Sequence, residues 1–147
     1  MAYNFQDSIQ RGIIYLAKSD EGFLLQIMPM VKGEYFEFPS HQKMFTVICD
    51  FFLQYKKLPT DDQLLEETKK IMASNELFGD YRDELDAVNG LDEKALDNQD
   101  YYLDVVEEFA KEQAIKDAIL KSVDHLKQKN FCAIEDEVRN AFSVNRN

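Results

Sequence analysis

Carboxylates are the reactive side chains this sequence holds in quantity, 28 Asp and Glu against 17 Lys and Arg. Three adjacent pairs, Asp61-Asp62, Glu66-Glu67 and Glu107-Glu108, have the residue types for general acid–base work or for holding a divalent cation. Acid–base work needs one carboxyl with a raised pKa, and so burial or an apolar pocket. These pairs fall instead on the polar faces of helical patterns. The two histidines lack ligand spacing. His41 is followed at i+3 and i+4 by Met44 and Phe45, and His125 is flanked at i−4 and i+4 by Lys121 and Lys129. Neither belongs to an H-x-x-x-H or E-x-x-H pair, so both read as structural or surface residues. Cys49 and Cys132 share no metal or redox spacing and sit in apolar helical patterns. They are expected as two buried free thiols in a reducing compartment. The five glycines form no G-x-x-x-x-G-K-[ST] loop, no G-x-G-x-x-G turn and no G-x-S-x-G elbow, so nothing cradles a nucleotide phosphate or presents a nucleophile. The expectation is a chain with no catalytic residue, no metal ligand and no cofactor site.

Composition narrows the class further. A length of 147 residues suits one compact domain, or a small core with an appendage. Hydrophobic residues at 45 % and 11 Phe exclude a disordered tail, while five Gly and three Pro argue against an all-β fold rich in tight turns. A net charge of −11 argues against a surface that binds duplex DNA. The aromatics occupy core stripes, which leaves a single-strand stacking groove unsupported. The N-terminal residues Met1 to Asp7 hold no basic segment followed by an apolar run, and no apolar stretch approaches the ~18 residues of a membrane span. A soluble, cytoplasmic protein is expected. The acidity is local: residues 60–112 carry 17 acids and 5 bases. Such a face can attract a basic partner, though charge runs are more often simply solvated.

The apolar residues recur with a helical period almost throughout, which gives an all-α fold. A first helix is expected from about Phe5 to Lys18, with Ile9, Ile13, Leu16 and Ala17 inward. Ser19 then caps a short helix holding Phe23, Leu24 and Ile27, which stops before Pro29. Ser40 caps a third helix, about His41 to Lys57, whose wide stripe is Met44, Phe45, Val47, Ile48, Phe51, Phe52 and Tyr55. Thr60 with Gln63 forms a capping box for a fourth helix, with Leu64, Leu65, Thr68, Ile71 and Met72 on one face. Residues 75–98 read as short helical pieces closed by Gly79 and Gly90. The longest helix runs from about Asn98 to Lys129 without Gly or Pro and stops at Asn130. A final helix of about 12 residues carries Ile134, Val138, Ala141 and Phe142.

The long helix has two faces. At 100° per residue, Tyr102, Val105, Val106, Phe109 and Ala110 cluster on one side. Ile115, Ala118, Ile119, Val123 and Leu126 cluster on a side rotated by more than about 100°. Its two halves therefore serve different partners. The natural partner of the second half is the last helix, folded back as an αα-hairpin. Two helices cannot cover each other's apolar faces on every side, so the remainder is buried either on the chain's own domain or by a second copy.

Three stretches carry a resemblance to a known family. Tyr35-Phe36-Glu37-Phe38-Pro39-Ser40-His41-Gln42-Lys43-Met44-Phe45 resembles the aromatic, His, apolar-Phe lead-in to the central helix of the N-terminal domain of DnaB-type replicative DNA helicases. Leu58-Pro59-Thr60-Asp61-Asp62-Gln63-Leu64-Leu65 resembles its Pro-Thr, polar, polar, Leu opening of the next helix. Asp100-Tyr101-Tyr102-Leu103-Asp104-Val105-Val106-Glu107-Glu108 resembles the Tyr-Tyr start of its long hairpin helix. The likeness is nearest to the helicases of large tailed phages, through Val106-Glu107-Glu108-Phe109, Gln113 to Ser122, and Ala141-Phe142-Ser143-Val144. It spans about Ile9 to Val144. The family's nucleotide-binding motor domain has no counterpart here, so a truncated piece of a longer chain and a stand-alone relative both stay open.

The resemblance implies a small helical core at 1–97, followed by a protruding helical hairpin at 98–147 that serves dimerisation and collar formation. It implies no chemistry in this domain. Hairpins pair, the pairs build a collar on a hexameric ring, and the collar helps recruit primase or a helicase loader. The whole protein would unwind duplex DNA 5′ to 3′ with ATP and magnesium, both held, like the DNA, by the motor domain. Carried onto this sequence, the self-pairing interface is Ile115, Ala118, Ile119, Ser122, Leu126, Ile134, Val138 and Phe142. The alternative is a free-standing acidic phage protein that imitates DNA or inhibits a host protein, motivated by the 60–112 acids.

Overall fold

The computed structural model describes residues 7–72, 75–91 and 97–145. Among these there are seven α-helices, one 3-10 turn and no strand. The helices are α1 (Asp7–Ser19), α2 (Glu21–Ile27), α3 (Pro39–Tyr55), α4 (Asp61–Ile71), α5 (Asn75–Asn89), α6 (Gln99–Lys127) and α7 (Phe131–Phe142), with the 3-10 turn at Gly33–Tyr35. Phe5 and Gln6, expected in the first helix, lie outside the described residues.

α1 is the hub, packing against α2, α3, α5 and α6. A hub must be apolar on more than one side, and Ile13, Ile14, Leu16 and Ala17 are all buried, wider than the single stripe expected. Gly12 makes room for the Tyr102 ring of α6: a Cβ there would sit 2.5 Å from its nearest ring carbon. Phe23, Leu24 and Ile27 of α2 and Met44, Phe45, Val47, Ile48 and Phe52 of α3 complete one continuous core with Leu64, Tyr81, Leu85, Val88 and the first half of α6. Each such side chain contributes about 1.5–3 kcal/mol on leaving water.

Several local expectations are corrected. Ser19 does not cap α2, because it continues α1. Asp20 takes the position, accepting the Phe23 N–H at 2.9 Å and the Gln99 amide at 2.7 Å. Those bonds, the Phe23 N–H first, hold its carboxyl below the ordinary value. Ser40 does not cap α3 either. Pro39 occupies the first helical position, where its fixed φ and missing N–H suit the helix start, and Phe38 precedes it without a side-chain cap bond. Tyr55 and Ile71, read as core-facing, are 54 % and 52 % exposed. The capping box is present as expected, Thr60 N–H to Gln63 Oε1 at 2.9 Å and Gln63 N–H to Thr60 Oγ1 at 3.2 Å.

The short pieces expected over 75–98 are one 15-residue helix running through Gly79. The cost of about 1 kcal/mol for glycine inside a helix is outweighed by burial of Tyr81, Leu85 and Val88. Gly90 follows the last helical residue, as a stop should. Residues 92–96 lie outside the described ones. α4 and α5 are joined by a buried bond from the Thr68 hydroxyl to the Tyr81 oxygen, 2.8 Å. Burial pushes the Tyr81 phenol up to about 12. Tyr81→Phe keeps the ring but strands the Thr68 hydroxyl. It is expected to lower unfolding free energy by about 1–2 kcal/mol, read by urea denaturation at neutral pH. The wild type, in turn, should lose stability as pH rises above 10, because its unfolded chain ionises Tyr81 first.

Candidate interaction surface

α6 is 29 residues long and its environment changes along its length. Over the first half, Leu103, Val106, Phe109 and Ala110 are buried against the core, with Tyr102 half-buried beside α1. Phe109 meets the Tyr35 ring edge-on at 6.5 Å and the Phe36 ring at 5.6 Å between centroids. At mid-helix the side chains shrink. Ala114 and Ala118 are buried where α6, the Met28–Lys32 segment and Ala141 of α7 converge. Beyond that point α7 is the partner, packed antiparallel as a hairpin.

The hairpin's turn is chemically specified. The Asn130 N–H reaches the His125 carbonyl at 2.8 Å and the Lys129 N–H reaches the Leu126 carbonyl at 3.0 Å. This is the paired 6→1 and 5→2 pattern of a Schellman stop. Lys129 takes the left-handed position, φ 56°, which glycine would occupy more cheaply. Asn130, expected to end α6, closes that stop through its N–H and also opens α7, its side chain accepting the Ala133 N–H at 3.3 Å. His125 and Glu137 face each other across the hairpin at 3.4 Å.

Of the eight side chains expected to form an interface, Ile119, Ser122, Leu126, Ile134 and Val138 come together. With Val123 they line a shallow groove of about 300 Å³ running between α6 and α7. Ile119 and Leu126 are each 59 % exposed, Val123 48 % and Val138 38 %. The Ser122 hydroxyl is shielded from water and has no hydrogen-bond partner among the described residues. The other three stand elsewhere. Ile115 is half-buried against the core, Ala118 is buried at the mid-helix junction, and Phe142 is 69 % exposed without lining the groove. Val123 belongs to the set and was legible in the second stripe.

The histidines and cysteines show what else the chain can do chemically. His41 is buried, its Nε2 3.0 Å from Glu84 Oε1, and Arg11 reaches the same carboxylate through Nε at 2.5 Å and Nη2 at 3.1 Å. The group joins α1, α3 and α5 across 43 and 73 residues of sequence, a separation no motif spacing could reveal. Burial pushes the Glu84 carboxyl up, but the bonds from Arg11 and His41 together outweigh it and hold it below its ordinary value. That is the opposite of a general acid. Cys49 is half-buried, and burial, with Asp50 adding, pushes its thiol up to about 12. Cys132 is exposed, against the expectation of two buried thiols, because it lies on the side of α7 turned away from α6. Among the described residues no three His, Cys, Asp or Glu side chains assemble as a metal site, and no helix is long and apolar enough to cross a membrane.

Comparisons with models of protein families, with curated protein sequences and with solved structures find no significant match to this chain.

Proposed function

We propose that this chain is a non-catalytic assembly domain whose hairpin pairs with a second copy of itself. We place it, by the three stretches quoted above, at the N-terminus of a phage replicative helicase, where paired hairpins build the collar that takes primase or a loader. ATP, magnesium and DNA would engage the motor domain and not these residues. The observation that carries the reading is independent of the likeness. Four aliphatic side chains, Ile119, Val123, Leu126 and Val138, stand well exposed around one apolar groove at the far end of α6. An exposed apolar face shared by two helices is the ordinary signature of a protein interface. A surface that meets its own copy about a twofold axis needs no second complementary patch.

The expected area is limited. A lone hairpin pair would bury roughly 1,200–2,000 Å² in total, so pairing of the isolated chain is expected to be concentration-dependent. Sedimentation equilibrium tests it. The wild type is expected to shift from monomer to dimer with concentration, and Ile119→Asp or Val138→Asp to weaken that equilibrium by about a hundredfold, since each would bury an unpaired carboxylate. Both sites are solvated in the monomer, so melting of the dilute chain should barely change. A wild type that stays monomeric at high concentration, or a dimer indifferent to both substitutions, contradicts the reading.

The acidic alternative has less behind it. Carboxylates of the 60–112 region are engaged with bases of the same chain, Asp61 with Lys18 at 3.0 Å, Glu67 with Lys70 at 3.0 Å and Glu84 with Arg11. A phosphate mimic needs its charges free and regularly spaced.

A further inference from the structure

A second apolar surface, sharing no lining residue with the hairpin groove, lies between α3 and α4. Its larger part is a groove of about 640 Å³, floored by Phe51, Tyr55 and Leu58, with Asp62, Glu66 and Glu67 on the α4 side. A smaller part of about 120 Å³ continues it toward Val47 and Ile71, with Asp50 and Glu67 beside them. The two share Phe51 and Tyr55, whose rings lie 4.6 Å apart, so the floor is continuous. Tyr55 and Ile71 are more than half exposed although the helical pattern placed both inward. Val47, Phe51 and Tyr55 repeat every fourth residue along α3, giving a track about 12 Å long at 1.5 Å per residue. That length matches a little over two turns of another helix, which would seat apolar anchors at i, i+3 or i+4, and i+7.

The charge around this floor selects the occupant. Four carboxylates, Asp50, Asp62, Glu66 and Glu67, border it against one lining base, Lys57. Glu67 and Lys70 pair with each other at 3.0 Å, which leaves Asp50, Asp62 and Glu66 facing the lining base Lys57. The carbonyl end of α3 is already answered within the chain, the Lys56 ammonium donating to the Leu53 carbonyl at 3.0 Å, so the rim carboxylates carry the selection. An acidic peptide, a nucleic acid or a second copy of this acidic chain would meet like charge here. A basic partner would gain steering and a matched rim.

We propose that the α3–α4 groove is a docking site for a basic amphipathic helix of another protein, its aliphatic side chains on Phe51 and Tyr55 and its lysines or arginines against Asp50, Asp62 and Glu66. The site is separate from the hairpin groove and does not depend on self-pairing.

The test uses the full chain and a fluorescent Leu–Lys peptide of about four helical turns, with leucines at i, i+3, i+4 and i+7, beside a Leu–Glu peptide of the same pattern. The Lys peptide is expected to bind saturably and to shift backbone amide resonances of α3 and α4, and the Glu peptide not to bind. Tyr55→Ser should weaken binding by about tenfold, as truncation of an anchoring aromatic does. Glu66→Lys should weaken it and flatten its salt dependence. Both residues are solvent-exposed, and a thermal melt confirms that the variants fold. Ile119→Asp should leave peptide affinity unchanged, so that failure of the self-pairing reading and failure of this one are told apart. The proposal is overturned by absence of saturable binding, by equal binding of the two peptides, or by Tyr55→Ser and Glu66→Lys variants as tight as wild type. It is equally overturned if the shifted amides lie on the hairpin, or if a second copy of the chain covers Tyr55 in the absence of peptide.

Discussion

A chain carrying Glu84→Ala is expected to lose about 3 kcal/mol of unfolding free energy near neutral pH, at the lower end of what breaking a buried pair costs. The Glu84 carboxylate is the shared acceptor of Arg11 from α1 and His41 from α3. Its removal leaves the fully buried His41 ring without that partner, while Arg11, about a third exposed, can turn to water. For a domain of this size the loss corresponds to a fall in Tm of roughly 6–12 °C. The sign of the pH dependence follows from the direction of the shift. The folded carboxyl is held below the value of the unfolded chain, so its contribution is complete above the ordinary glutamate range near 4.5 and fades as pH falls through the folded value. Urea titrations of wild type and Glu84→Gln should therefore converge in acid and separate as pH rises past that range. Curves that stay parallel at all pH values would mean that the charge of Glu84 is not what matters.

Phe109→Ala is expected to cost about 3–5 kcal/mol, the range for removing a fully buried aromatic ring. The ring is entirely enclosed and touches Tyr35 and Phe36 from the segment leading into α3, so the cavity would open at the centre of the core. The informative comparison is with Leu126→Ala on the same helix. Leu126 is 59 % exposed, so its truncation should cost the dilute monomer less than about 0.5 kcal/mol and act instead on self-association. Guanidinium unfolding at low protein concentration checks the pair. Similar losses at both positions would mean that α6 is not divided in the way proposed.

The helices were legible because their apolar residues repeat with the right period, and the two-faced character of α6 was legible for the same reason. Periodicity assigns a direction, however, and does not say whether a neighbour stands there. Tyr55 and Ile71 point along the same stripes as Ile48 and Leu64, yet both line the open groove between α3 and α4 and stay more than half exposed. Capping was legible where the side chain had one competent position, as at Thr60, and misread where a neighbouring residue suited the start better. Asp20 displaced Ser19, and Pro39 took the first turn ahead of Ser40. Glycine was over-read as a stop at Gly79, where burial on either side outweighs its intrinsic cost. The Arg11–Glu84–His41 group was invisible, since three residues with no local spacing become neighbours only after α1, α3 and α5 pack. Within the hairpin set, Ile119, Leu126, Ile134 and Val138 were readable from the apolar stripes, whereas Ser122 came only through the resemblance. Ala118 was not so readable, because a small residue on an apolar face can mark a close helix crossing as well as an open surface.

Both candidate surfaces are apolar faces that the chain leaves open, and they differ in what surrounds them. The hairpin groove is lined by aliphatic side chains of α6 and α7 and by Ser122, with no carboxylate among its lining residues. The α3–α4 groove carries an acidic rim. A neutral face suits a copy of itself, and an acidic one suits a basic stranger. The most direct test of self-pairing is an isotope-filtered NOE measurement on an equal mixture of carbon-13-labelled and unlabelled chain at high concentration. Methyl-to-methyl contacts between chains are predicted at Ile119, Val123, Leu126 and Val138. A spectrum with no contact between chains, or with contacts confined to methyls outside the hairpin, would contradict the account.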